Sequence, residues 1–109
     1  MNSDRSFSEK QWLALSALLG FANKAGKLKF GISACALSCR ARKARLIILA
    51  NDLSSNTRKK IEPIIIHNGI KNISLGTKEQ FGRLFNRKNT GLVCIEDTGF
   101  AAGIAKITA

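Results

Sequence analysis

The sequence predicts a layered α/β/α domain, with helices covering both faces of a small sheet. Three observations carry that expectation. Apolar residues recur at helical spacing in several stretches, the first being Trp12, Leu15, Leu19 and Ala22. Between such stretches stand short continuous apolar runs, Arg45 to Ala50 and Leu92 to Glu96, which have the length of strands covered on both faces. The helix-first order, with no Gly-rich loop after a strand, argues against a dinucleotide-binding unit.

Each element has its own signal. Residues 1 to 7 read as a short frayed arm. Ser8 and Gln11 form a capping box that opens a helix over about residues 8 to 24, and Gly26 ends it by taking a left-handed conformation. Leu28-Lys29-Phe30 is a short extended segment. A second helix follows from about Ile32 to Arg42, with Ile32, Cys35, Ala36 and Cys39 on one apolar stripe. Ser33, Ala34 and Leu37 lie far round from that stripe and should face solvent or a ligand. The strand Arg45 to Ala50 leads into a turn at Asn51 to Ser55. A third helix, from Ser55 or Asn56 to His67, contains Pro63, which predicts either a late start or a kink. Asn68-Gly69 turns the chain, Asn72 to Gly76 reads as a short strand, and Thr77 with Gln80 opens a fourth helix through Phe81 and Leu84. The polar, basic loop Asn86 to Gly91 precedes the last strand. Asp97 or Thr98 then caps a final helix with Phe100, Ala101, Ile104 and Ile107 inward.

Composition bounds the function. At 109 residues the chain is expected to be one domain, 1–109, around a single core. No apolar run approaches the roughly 20 residues of a membrane span. The first residues lack the pattern of a signal peptide, so the expected location is cytoplasmic. Three cysteines fit reduced thiols rather than a disulfide framework. Eighteen Lys and Arg against seven Asp and Glu give a net charge of +11, the electrostatic footprint of a nucleic-acid partner. Ten basic side chains fall between residues 24 and 60 with Asp52 as the one acid, so that stretch carries +9. Its centre, Lys24 to Cys35, is a helix end, a Gly break, a basic extended segment and, at Gly31, a new helix start. RNA is the expected partner.

Other groupings point elsewhere only weakly. Cys35 and Cys39, at i and i+4, could form half of a zinc site with Cys94 and His67. Both lie on the apolar stripe of their helix, however, which favours core packing. His67 reads as a helix-end residue, and Asp97 of the pair Glu96-Asp97 as a cap. Arg58-Lys59-Lys60 is either a solvated helix face or an RNA contact. No nucleophile, base and orienting group can be assembled, so neither an enzyme nor a cofactor is expected.

Four segments carry a resemblance: Leu18 to Leu28 (LLGFANKAGKL), Ala44 to Asp52 (ARLIILAND), Gly76 to Gly82 (GTKEQFG) and Glu96 to Ala101 (EDTGFA). In this order they resemble the ribosomal protein L7Ae (L-seven-Ae) family, in its small bacterial YlxQ-like branch, from residue 12 onward. The resemblance implies a three-layer α/β/α sandwich around a four-stranded mixed sheet. It also implies a non-enzymatic monomer that binds kink-turn or other structured RNA, including rRNA, as a ribosomal or ribonucleoprotein component. The RNA-holding positions it implies are Lys27, Lys29, Gly31 and Ser33, then Asn51 and Asp52 with the nearby Arg58, then Arg87, Lys88, Asn89, Thr90 and Gly91. Typical kink-turn readers carry Asn, Glu and Lys where this chain has Ser33, Ala34 and Leu37. That departure implies attraction to the RNA backbone with weakened base readout. The alternative is an interaction module docking on the ribosome or another protein, with Leu37 in the contact and only weak, non-specific RNA binding.

Overall fold

The computed structural model describes residues 8–88 and 90–109, so the arm expected at residues 1–7 lies outside the described residues. In chain order the elements are α1 (Glu9–Lys24), β1 (Leu28–Phe30), α2 (Gly31–Arg40), β2 (Leu46–Leu49), α3 (Ser55–Asn68), β3 (Asn72–Ser74), α4 (Lys78–Phe85), β4 (Leu92–Ile95) and α5 (Thr98–Thr108). The strands form one four-stranded sheet in the order β1-β4-β2-β3. β4 runs antiparallel to both β1 and β2, while β2 and β3 are parallel. The mixed sheet implied by the resemblance is therefore present.

Alternation along the two central strands builds the layers. Leu46 and Ile48 of β2, with Val93 and Ile95 of β4, face Leu15 and Leu19 of α1, Phe81 of α4 and Ile104 of α5. Ile47 and Leu49, with Leu92 and Cys94, face Cys35 and Cys39 of α2 and Ile61 and Ile65 of α3. Helices thus cover both faces, which explains why β2 and β4 read as unbroken apolar runs. On the α1 side the aromatic rings form a chain. Trp12 lies 5.8 Å from Phe81, Phe81 6.3 Å from Phe85, and Phe85 4.9 Å from Phe30, centroid to centroid.

The capping signals hold. Ser8 with Gln11 and Thr77 with Gln80 form reciprocal capping boxes, and Asp97 accepts a hydrogen bond from the Phe100 amide. Gly69 closes α3 at φ 62°. Of the two expectations at Pro63, the late start does not hold: Ser54 caps α3, and the helix continues through Pro63 to Asn68. Pro63 itself lies on the exposed side of the helix, while Ile61 and Ile65 on either side of it are buried. α2 ends two residues before the expected Arg42, because Arg42 itself takes φ 61° and reverses the chain toward β2.

Candidate nucleic-acid interface

The sheet register decides which loops meet. Phe30 at the end of β1 pairs with Val93, and Leu49 at the end of β2 pairs with Leu92 and Ser74. The end of β1, the end of β2, the end of β3 and the start of β4 therefore share one end of the sheet. The start of α2, the turn at Asn51 and Asp52, the start of α4 and the loop before β4 gather there. Hydrogen bonds tie these loops together. The Ala50 amide donates to Gly91 O at 2.8 Å, the Asn51 amide donates to Gly76 O at 2.8 Å, and Asp52 Oδ1 accepts from the Lys78 amide at 2.9 Å.

At this end the start of α2 stands apart. α1, α3, α4 and α5 each begin under a side-chain cap, from Ser8, Ser54, Thr77 and Asp97. α2 follows Phe30 as its cap residue, and Phe30 makes no side-chain cap hydrogen bond. The first amides of a helix have no intrahelical partner and carry the positive end of its dipole. An anion approaching α2 thus meets donors that no side chain among the described residues occupies. Gly31 sits at φ 85° with open space where a Cβ would project. Gly31→Ala should cost about 1 kcal/mol through left-handed strain, and its methyl would stand where an anion approaches. Thermal melting and an RNA gel shift check both effects; unchanged binding would separate Gly31 from the anion site.

Basic groups flank these amides. Arg87 places its guanidinium carbon 4.0 Å from the centroid of the ring of Phe30, the residue just before α2. This cation–π contact sets Arg87 beside the helix start, and the aromatic chain behind Phe30 holds the ring in place. Lys29, Ser33 and Lys88 are exposed nearby. Lys78, at the start of α4, adds a further exposed cation. Sequence reading missed Lys78 and the Phe30–Arg87 stack; the aromatic at the strand end, opposite a basic loop, was the available signal for the stack.

The remaining expected site residues divide by what they touch. Asn51 is exposed in the turn, whereas Asp52 fastens that turn to α4. Arg58 Nη2 donates to Ala50 O at 3.1 Å, and its Nη1 lies 3.7 Å from Glu62, so it braces the end of β2. Thr90 is 1 % exposed, and Gly91 packs so closely that a Cβ would lie 2.9 Å from Leu53 Cδ1 and from Lys78 Cγ. Both hold the loop in position. Asn89 lies outside the described residues. Lys27 falls at the other end of the sheet, where its carbonyl accepts from the Glu96 amide. The charge expected to gather around one loop is thus divided between the two ends of the sheet. On the outward face of α2, Ser33 is exposed, Leu37 is 66 % exposed, and Ala34 is half-buried.

The cysteines belong to the core: Cys35, Cys39 and Cys94 are 0 %, 1 % and 0 % exposed. The hydrogen bond with Cys94, followed by burial, pushes the Cys35 thiol up, and burial pushes up Cys39. Among the described residues, no three His, Cys, Asp or Glu side chains gather as metal ligands would. Ellman's reagent should label none of the three thiols promptly in the folded protein and all three in guanidinium. Prompt labelling of the folded protein would contradict the core assignment.

Comparison with known proteins agrees with this architecture. Residues 14–104 match the model of the ribosomal protein L7Ae/L30e/S12e/Gadd45 family. The chain is 31% identical over 84 residues to the RNA-binding protein YlxQ of Bacillus subtilis, covering 77% of this chain and 84% of that one. It is 33% identical over 86 residues to RNA-binding protein YlxQ of Enterococcus faecium, covering 77% and 81%. Among solved structures, a Bacillus halodurans protein of unknown function superposes with TM-score 0.79 at 24% identity, covering 85% of this chain and 94% of that one. The Giardia lamblia 15.5kD RNA binding protein gives TM-score 0.70 at 21% identity, covering 93% and 88%. These two structural likenesses bear on the fold alone.

Proposed function

The chain belongs to the ribosomal protein L7Ae/L30e/S12e/Gadd45 family, and on that premise we propose that it binds structured RNA at the α2 end of its sheet. The observation that carries this reading is the uncapped start of α2, set between Lys29 on one side and Arg87 and Lys88 on the other. A phosphate would take the free amides, and the flanking cations would hold its neighbours along the backbone. The names of the two YlxQ relatives support the same reading. A gel shift with structured RNA across a salt series tests it. Affinity should fall by roughly 0.7 to 0.9 log units per log unit of salt for each phosphate neutralised. A flat salt response would sink the proposal.

The finer reading is a kink-turn-like RNA, in rRNA or another ribonucleoprotein, bound with modest selectivity. Phosphate contacts position a protein, whereas base-edge contacts specify the sequence or shape it prefers. Ser33, Ala34 and Leu37 offer one hydroxyl where base-reading relatives would offer an amide, a carboxylate and an amine. Ser33→Asn, Ala34→Glu and Leu37→Lys together should raise the preference for a kink-turn over a plain duplex, since a good base contact is worth about 1–3 kcal/mol. Competition binding of wild type and triple variant checks this. Equal discrimination by both proteins would show that the departures are harmless.

The exposure of Leu37 favours a second reading, in which the same face of α2 docks on a ribosomal protein. Ribosome co-sedimentation with and without RNase separates the two. Binding that survives RNase belongs to the protein-docking reading.

A further inference from the structure

The end of the sheet away from α2's start carries its own basic surface. The Lys27 carbonyl accepts from the Glu96 amide, the Arg45 amide donates to Ile95 O, and the Ile47 amide donates to Lys71 O. These bonds place Lys27, Arg45 and Lys71 together across that end. The reversal at Arg42 and Lys43, which links α2 to β2, joins them. An open groove of about 740 Å³ lies here, with Arg42, Arg45 and Lys71 on its wall and Leu46, Ala101 and Ala105 among its apolar lining. That volume is within the range of ligand-holding clefts.

Among the described residues, positive side chains on this groove outnumber the acids beside it, and none of them is in an ion pair. Arg45 Nη1 donates to Arg42 O at 3.1 Å, so that guanidinium serves the chain reversal. Arg42, Lys43 and Lys71 are exposed, and the two ion pairs among the described residues, Arg58–Glu62 and Arg83–Glu79, involve none of them. The carboxylates adjoining this end, Glu96 and Asp97, bond to neutral donors, Ser38 Oγ and the Phe100 amide, and pair with none of these cations. Like charges crowded without ion pairs repel one another in the free protein, and a polyanion lowers that cost.

We propose that this groove is a second RNA-binding surface, which takes the phosphate backbone of a separate RNA segment on Arg42, Lys43 and Lys71, so that one protein bridges two segments. The proposal rests on the RNA-binding reading of the first site. The two surfaces lie at opposite ends of the strands and face away from each other, so a single straight backbone cannot follow both. The second contact is made to phosphates and is indifferent to sequence. It also accounts for the division of the basic stretch: one share surrounds the start of α2, and the other surrounds the groove.

A bridging assay tests this. A biotinylated RNA hairpin is immobilised and loaded with protein, and a fluorescent hairpin is then offered. Wild type should bind the first hairpin and capture the second, and light scattering of the soluble complex should show one protein with two hairpins. The variant carrying Arg42→Asn, Lys43→Gln and Lys71→Gln removes three of this end's cations and leaves Arg45 to its bond with the Arg42 carbonyl, with Asn chosen because it tolerates the positive φ at position 42. It should bind the first hairpin within about twofold of wild type and capture the second at least about tenfold less. Capture undiminished in the variant overturns the proposal. So does first-site binding without capture by wild type, or a bridged complex holding two protein copies. If wild type binds no hairpin at low salt, the RNA-binding reading itself falls at the first step and takes this proposal with it.

Discussion

Replacing Lys29, Arg87 and Lys88 together by Ala is expected to lower RNA affinity by about 100-fold at about 0.1 M salt. Each phosphate contact contributes roughly 0.7 log units per decade of salt, so three lost contacts remove about two log units between about 1 M and 0.1 M. The salt slope should flatten by about two for the same reason. Replacing Lys10 and Lys106, exposed on α1 and α5, should move affinity within about twofold. Folding should hardly change in either variant, because exposed Lys contributes little to stability. Arg87 is the member with a structural role, since its contact with Phe30 is worth about 0.5–1 kcal/mol at an exposed site. Fluorescence anisotropy across a salt series, with a melting curve for each variant, checks all three statements. Equal losses from both sets of substitutions would mean that the charge acts as a diffuse cloud and that no site exists at this end.

The second large effect concerns the support behind the site. Phe81→Ala is expected to destabilise the fold by about 3–5 kcal/mol, a large share of the 5–15 kcal/mol typical of a domain. Phe81 is fully buried, links Trp12 to Phe85, and closes the turn at Gly76, where a Cβ would lie 2.9 Å from its ring. The cavity it leaves would loosen Phe85, then Phe30, then Arg87. Denaturant titration measures the loss. A cost below about 1 kcal/mol would show that the aromatic chain is not a support.

Much of this was legible in the sequence where a local rule had no competitor. Ser8, Thr77 and Asp97 announced their helices because capping needs only a few consecutive residues. β2 and β4 announced themselves by continuous apolar runs, since both faces of each are covered. What stayed hidden depended on register. Lys27 and Lys29 are neighbours in sequence, yet β1 carries the chain from one end of the sheet to the other between Lys27 and Gly31. The stretch that looked like one basic surface was therefore two. Thr90 and Gly91 looked available in a polar loop, but closing that loop against Lys78 and Leu53 buried them. At Pro63 the late start expected as one alternative did not occur. A proline inside a helix argues for a break, but the apolar positions Ile61 and Ile65 are fixed against the sheet on either side of it. Tertiary packing outweighed the local preference.

The central claim is that RNA is held by the free amides at the start of α2. Amide chemical-shift mapping, with labelled protein and less than one equivalent of an RNA hairpin, tests it most directly. The Gly31, Ile32 and Ser33 amides should shift most, followed by those of Arg87 and Lys88, while the amides of α1 and α5 stay in place. Shifts centred on α1 or α5, with residues 31 to 33 unmoved, would contradict the account.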